Sequence, residues 1–165
     1  MSEQSRDSDD FDLTDPAGYS HWITVTIRYR DLDPLGHINN SVYSEWFEAA
    51  RVMLTRRFSA AGPEWLITAL ARMTINFLAE TTWPGEVQVG GRLLSIGNRS
   101  FGSAYGVFRD GRCLATADCV SVWFDPRERR SVAPPAEVRQ AMEAELRGSS
   151  QPQNQAASSS GARLV

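Results

Sequence analysis

The sequence predicts an α+β fold in which one mostly antiparallel sheet of five strands wraps a single long helix, with a short helix at the C-terminal end. Three observations predict it. The elements run in the order strand, long helix, four strands, short helix. The long helix carries an apolar face too wide for one neighbouring element to cover. The later strands are separated by tight-turn residues, which favours antiparallel neighbours, and one sheet curled around the helix is the simplest way to bury it.

The first strand lies at Trp22–Arg30, where Ile23, Val25, Ile27 and Tyr29 alternate with Thr24, Thr26 and Arg28. Asp33-Pro34-Leu35-Gly36 ends it, since proline and glycine both break regular structure. The long helix follows over about 40–58, capped by Asn39 or Asn40. Val42, Trp46, Ala49 and Met53 form one apolar row, and Tyr43, Phe47, Ala50, Leu54 and Phe58 the next. Glu48 and Arg51, three apart, read as a solvated pair on the opposite side. After Gly62-Pro63 come strands near 67–79, 86–97, 100–109 and 112–125, divided by Trp83-Pro84-Gly85, Gly97-Asn98 and Asp110-Gly111. The Asp-Gly pair is a hairpin signal. Pro134-Pro135 introduces the last helix, about 136–147.

The flanks differ from this body. Residues 1–19 are acidic and poor in large apolar groups, and residues 148–165 are low-complexity, so both read as disordered tails around a domain over 20–147. Residues 1–15 hold six acids and one arginine, a net of −5, so the remainder carries +2 of a total of −3. A nearly neutral body without a basic stripe argues against nucleic acid as a partner. All 17 basic residues are arginine. Without lysine there is neither Schiff-base chemistry nor a phosphate-loop lysine. Cys113 and Cys119 have poor zinc spacing and read as buried free thiols, and His21 and His37 are the only histidines, so no metal centre is expected. No signal peptide and no membrane-length apolar run is present, which points to the cytoplasm.

The chemistry concentrates in the strand-to-helix turn. A helix N-terminus presents unpaired N–H groups and partial positive charge, suited to the oxyanion formed when a carbonyl is attacked. A carboxylate beside it either attacks that carbonyl or deprotonates water for the attack. Asp31, Asp33, Gly36 and the helix start lie close enough in sequence to supply these parts. An ordinary strand-to-helix turn also favours Asp, Pro, Gly and Asn, so composition alone leaves both readings open.

The run from Arg28 to Arg51, RYRDLDPLGHINNSVYSEWFEAAR, resembles the signature of hotdog-fold acyl-CoA thioesterases of the 4-hydroxybenzoyl-CoA thioesterase family: Asp-x-Asp-x-x-Gly-His-x-Asn-Asn, then an aromatic helix ending in Glu-x-x-Arg. The likeness continues through Ile96–Phe101 and Val120–Asp125 to the late proline pair, about 22–142 in all. It implies the hotdog fold and subunits paired as a homodimer or homotetramer, with acyl-CoA held between them and hydrolysed to a carboxylic acid and CoA. No cofactor is implied beyond the CoA of the substrate.

By position, the resemblance puts the catalytic carboxylate at Asp33 and the carbonyl-polarising backbone N–H at Asn40. Gly36 allows close approach of backbone to substrate. His37 either orients the loop or touches substrate, and Asn39 matches a motif position. Arg99 and Ser100 fall in a turn that approaches CoA in similar proteins, where Arg99 either pairs with a phosphate or is simply solvated. Tyr43 and Trp46 either line the acyl pocket or fill the core. Asp31 is the rival carboxylate, with a structural role as its alternative; Glu45 and Glu48 are rivals too, because a related branch uses a carboxylate on the central helix.

Two other functions remain to be distinguished. Hotdog hydratases carry Asp-x-Asn-Pro-(aliphatic)-His, which Asp31–His37 resembles loosely, with Asp33 at the Asn position and Gly36 inserted. Hydration of an enoyl-CoA would mark that activity. A non-catalytic acyl-CoA-binding hotdog protein would bind the thioester without releasing thiol.

Overall fold

The computed structural model describes residues 11–149; the first ten and last sixteen residues, which include most of both expected tails, lie outside it. The elements are β1 (His21–Thr26), α1 (Asn40–Ser59), β2 (Ile67–Phe77), β3 (Glu86–Ile96), β4 (Ser100–Arg109), β5 (Arg112–Asp125), β6 (Arg130–Ser131) and α2 (Ala136–Ser149). The sheet order is β1-β3-β4-β5-β2, every pair antiparallel, with the two-residue β6 added to the end of β5. The β1-to-β2 connection, α1, therefore crosses the concave face from one sheet edge to the other. This is the hotdog arrangement.

The core forms where α1 meets β3 and β4. Phe47 and Phe58 are fully buried, with Leu54, Ala50, Tyr43 and Trp46 beside them, against Val87, Val89, Leu93, Tyr105 and Val107. Truncating Phe47 or Phe58 to Ala costs about 3–5 kcal/mol on the usual scale for buried aromatics. α2 packs on β3 and α1 through the buried Val138 and Met142. The Asp110-Gly111 hairpin has positive φ at both residues, +50° and +76°, as a type I′ turn requires.

Three expectations are corrected. β1 stops at Thr26: the chain turns into a single 3-10 turn at Tyr29–Asp31, leaving Tyr29 73% exposed rather than on the inner face. The cause is Asp31, whose carboxylate accepts the Arg28 N–H at 2.8 Å and closes the turn. On α1, Ala49 and Met53 face solvent, while Arg51 takes the buried position. Arg51 and Glu48 do pair, through two hydrogen bonds of 2.8 and 2.6 Å, but the guanidinium lies under the sheet rather than in water. Finally, residues 11–19 pack on the outer face of the sheet. Tyr19 is buried over Gly90 and Gly106, where any Cβ would meet its ring at less than 3.0 Å, and its hydroxyl donates to the Leu13 carbonyl. Composition could not show this, because a few specific contacts do the anchoring: the Tyr19 ring, Phe11 edge-on against it, and Arg92 over Phe11.

Candidate active site

Between β1 and α1 the chain makes a compact knot held by two aspartates. Asp31 is 2% exposed and points inward. It accepts from Arg28 N–H and Arg28 Nε, and its carbonyl accepts the Asn39 N–H at 2.9 Å. Burial by itself raises its pKa, but the Arg28 hydrogen bonds and charge outweigh this and hold the carboxyl below its ordinary value. Asp31 thus joins the end of the strand to the start of the helix.

Asp33 faces the other way and is partly exposed. Its Oδ1 accepts the N–H groups of Leu35 at 2.8 Å and His37 at 3.1 Å, while its backbone exchanges bonds with His37 and Gly36. Both side-chain bonds fall on one oxygen; Oδ2 has no partner among the described residues. Gly36 adopts φ +81°, a conformation open to glycine at little cost, and a Cβ there would meet nothing within 4 Å. The space over the turn is therefore clear on the Gly36 side.

Asn39 caps α1, its Oδ1 accepting from Ser41 N–H at 2.9 Å and Ser41 Oγ at 2.8 Å. Asn40 is the first helical residue, and its N–H has no acceptor among the described residues. A free N–H at a helix N-terminus lies seven residues past a carboxylate with a free oxygen, on a turn closed by its own hydrogen bonds. His37 Nδ1 lies 3.3 Å from Glu80 Oε2, with both side chains well exposed. Tyr43, 2% exposed, packs with Trp46 and Phe77 at ring separations of 5.0 and 5.4 Å, so it is at once a core residue and the first large side chain below the helix start.

Residues 80–84 brace this turn, and nothing in the local sequence announced it. Thr82 Oγ1 donates to the Gly36 carbonyl at 2.7 Å, and Ile38 N–H to the Thr81 carbonyl at 3.0 Å. Arg109, at the end of β4, holds that segment by donating to Thr81 Oγ1, the Thr82 carbonyl and the Pro84 carbonyl at 2.7–2.9 Å. Glu80, Arg109, Arg112 and Leu114 line an open cleft of about 470 Å3 beside it.

The remaining candidates lie elsewhere. Glu45 bonds Arg28 at 3.0 Å and Glu48 bonds Arg51, so neither meets Asp33. Arg99 ends the β3–β4 turn, its carbonyl accepting Trp123 N–H, and Ser100 opens β4. That is the other end of β4 from Arg109, roughly 30 Å away at the rise of a strand. Within one subunit they do not join the Asp33 turn.

Comparison with known proteins fits this geometry. Residues 27–142 match the model of the thioesterase-like superfamily, and the chain belongs to it. A thioesterase from Thermus thermophilus, solved as a complex with coenzyme A and Zn, is 30% identical, with TM-score 0.68 over 78% of this chain and 96% of that one. A Pseudomonas aeruginosa protein is 28% identical, with TM-score 0.67 over 78% and 92%. A predicted thioesterase from Bacillus stearothermophilus shares the fold at 24% identity, TM-score 0.70 over 76% and 95%. No curated protein matches. Among the described residues no helix is long and apolar enough to cross a membrane.

Proposed function

We propose that the chain is an acyl-CoA thioesterase of the 4-hydroxybenzoyl-CoA thioesterase kind, hydrolysing the thioester to a free acid and CoA in the cytoplasm. The observation that carries this is the division of labour at Asp33: Oδ1 is fixed by two backbone N–H groups, Oδ2 has no partner among the described residues, and the helix start at Asn40 follows seven residues on. Fixing one oxygen pre-orients the other without rotamer loss during attack. The CoA bound to the Thermus thermophilus thioesterase supports CoA as the leaving group.

In this scheme the thioester carbonyl oxygen receives the Asn40 N–H and the helix dipole. Asp33 Oδ2 either attacks the carbonyl carbon, forming a mixed anhydride that water then opens, or takes a proton from water as that water attacks. In both routes the C–S bond breaks and CoA departs as thiolate; the attacking water supplies the oxygen of the acid, one of its protons ends on the CoA sulfur to give the thiol, and the other is released to solvent as the acid ionises to carboxylate. Gly36 admits the substrate, Asn39 fixes the helix start, His37 orients the turn through Glu80, and Tyr43 closes the top of the acyl pocket. No metal or redox cofactor enters the scheme.

A second copy of the chain completes the site. β2 is an eleven-residue edge strand with Ile67, Leu70 and Phe77 exposed along it, a form that pairs readily with another strand. Antiparallel pairing of two β2 edges sets the Ile67 end of one beside the Phe77 end of the other. The first end adjoins Arg99 and Ser100 through Trp123, and the second adjoins the Asp33 turn through Leu78 and Thr82. A homodimer of this kind brings Arg99 and Ser100 of one subunit toward the turn of its partner, where an arginine suits a CoA phosphate.

The test is thiol release from acyl-CoAs spanning short aliphatic, long-chain and aromatic acyl groups, with crotonyl-CoA included. Cleavage of at least one thioester without hydration is expected. Tight binding with no cleavage of any member would instead favour an acyl-CoA-binding protein.

A further inference from the structure

A second cavity, of about 170 Å3, lies between β1, α1 and β3. Its α1 wall runs from Ala50 to Arg57, 10 to 17 residues beyond Asn40, or roughly 15–25 Å at the helical rise. It is therefore separate from the Asp33 turn. Ile23, Ala50, Met53 and Val89 give it apolar sides, and His21 and Arg57 give it a basic rim.

The rim is held from outside by α2. Glu145 makes a short hydrogen bond to His21 Nε2 through one oxygen, and its other oxygen accepts Arg57 Nε at 3.1 Å. Glu145 is 11% exposed and is occupied by both neighbours. Arg57 spends only Nε on it, so both Nη groups remain as donors on a half-exposed side chain at the mouth. A cavity with apolar sides and, at its opening, a planar guanidinium whose Nη groups are unspent suits a molecule with an apolar body and one carboxylate. The volume sets the size: a cavity of roughly 150 Å3 accepts benzene.

We infer that this cavity is a binding site for a small monocarboxylate, one aromatic ring or a short apolar chain, with its body against Ile23, Ala50 and Met53 and its carboxylate on Arg57. Such acids are also the product class of the proposed reaction, but the inference rests on the cavity alone and its test needs no turnover.

The probe is benzoate, titrated into the full chain with 13C-labelled methionine methyls. Met53 lines the cavity, whereas Met73 lies on β2. A saturable shift of the Met53 methyl with Met73 unmoved is expected. Arg57→Gln, at an exposed helix position, should weaken binding about tenfold, the worth of one charge-assisted hydrogen bond. Benzamide, of the same shape without the charge, should bind at least about tenfold more weakly than benzoate. The inference is overturned by any of three results: no Met53 shift, a shift at Met73 in its place, or benzoate binding unchanged in Arg57→Gln and matched by benzamide.

Discussion

Thr82 Oγ1 donates a 2.7 Å hydrogen bond to the carbonyl of Gly36, joining the Asp33 turn to a segment 46 residues away. The turn's own bonds close it, but this bond and the Thr81 carbonyl set its position relative to the sheet. Thr82→Val keeps the shape of the side chain and removes the donor. With thioesterase activity established, it should lower kcat/KM about tenfold, since small displacements of a positioned group are costly in rate, while the far-ultraviolet circular dichroism stays unchanged. A variant with full activity would mean that the turn holds its position unaided.

Gly36 separates conformational strain from steric exclusion. With φ +81° and nothing within 4 Å of a built Cβ, Gly36→Ala meets only the cost of a left-handed backbone, about 1–2 kcal/mol. Urea unfolding should report a loss of that size. If the open space receives substrate, KM should rise more than kcat falls.

Asp31 should matter for stability rather than chemistry. Asp31→Asn removes the buried one of Arg28's two charged partners, leaving the exposed Glu45, and should destabilise the fold by about 1–3 kcal/mol, with turnover falling far less than it does on changing Asp33. Thermal melts and steady-state rates on the same preparation separate the two effects.

Acid should loosen the fold through Asp31 and Glu145. For Glu145 burial acts to raise the pKa, but the hydrogen bonds of His21 and Arg57 and their charges outweigh it, and the pKa is lowered. Asp31 is lowered as well. A folded pKa below the unfolded one means that the unfolded chain binds more protons in acid. The stability these groups supply is therefore complete above about pH 5 and drains as pH falls through their folded pKa values. Glu145→Gln should lower Tm at neutral pH and flatten the decline of Tm below about pH 5. An unchanged slope would show that the β1–α1–α2 clamp contributes nothing.

Much of the fold was legible because periodicity and turn chemistry act locally. The Asp110-Gly111 hairpin, the bounds of β4 and β5 and the span of α1 all follow from neighbours in sequence. What failed did so where a side-chain hydrogen bond or a distant contact overrode the periodic pattern. Tyr29 continues the alternation of β1, yet the Asp31 carboxylate bends the backbone before it can pair. Arg51 looks like a surface residue until the sheet closes over it, and Met53 looks like core until α1 is seen to turn that face outward. The Asp33 turn was legible as a motif, while its braces at Thr81, Thr82 and Arg109 were not. They lie beside the turn only after β2, β3 and β4 have been laid down, and no spacing records that.

The most direct test of the account is the turnover of Asp33→Asn against wild type on whichever acyl-CoA the wild type cleaves best. The substitution keeps an oxygen to accept the Leu35 and His37 N–H groups but removes the charge. A fall of ~10²–10⁴-fold is expected, the scale of a positioned acid–base group, with the melting temperature little changed. Near-normal turnover by the Asp33→Asn protein would contradict the assignment of Asp33 as the catalytic carboxylate.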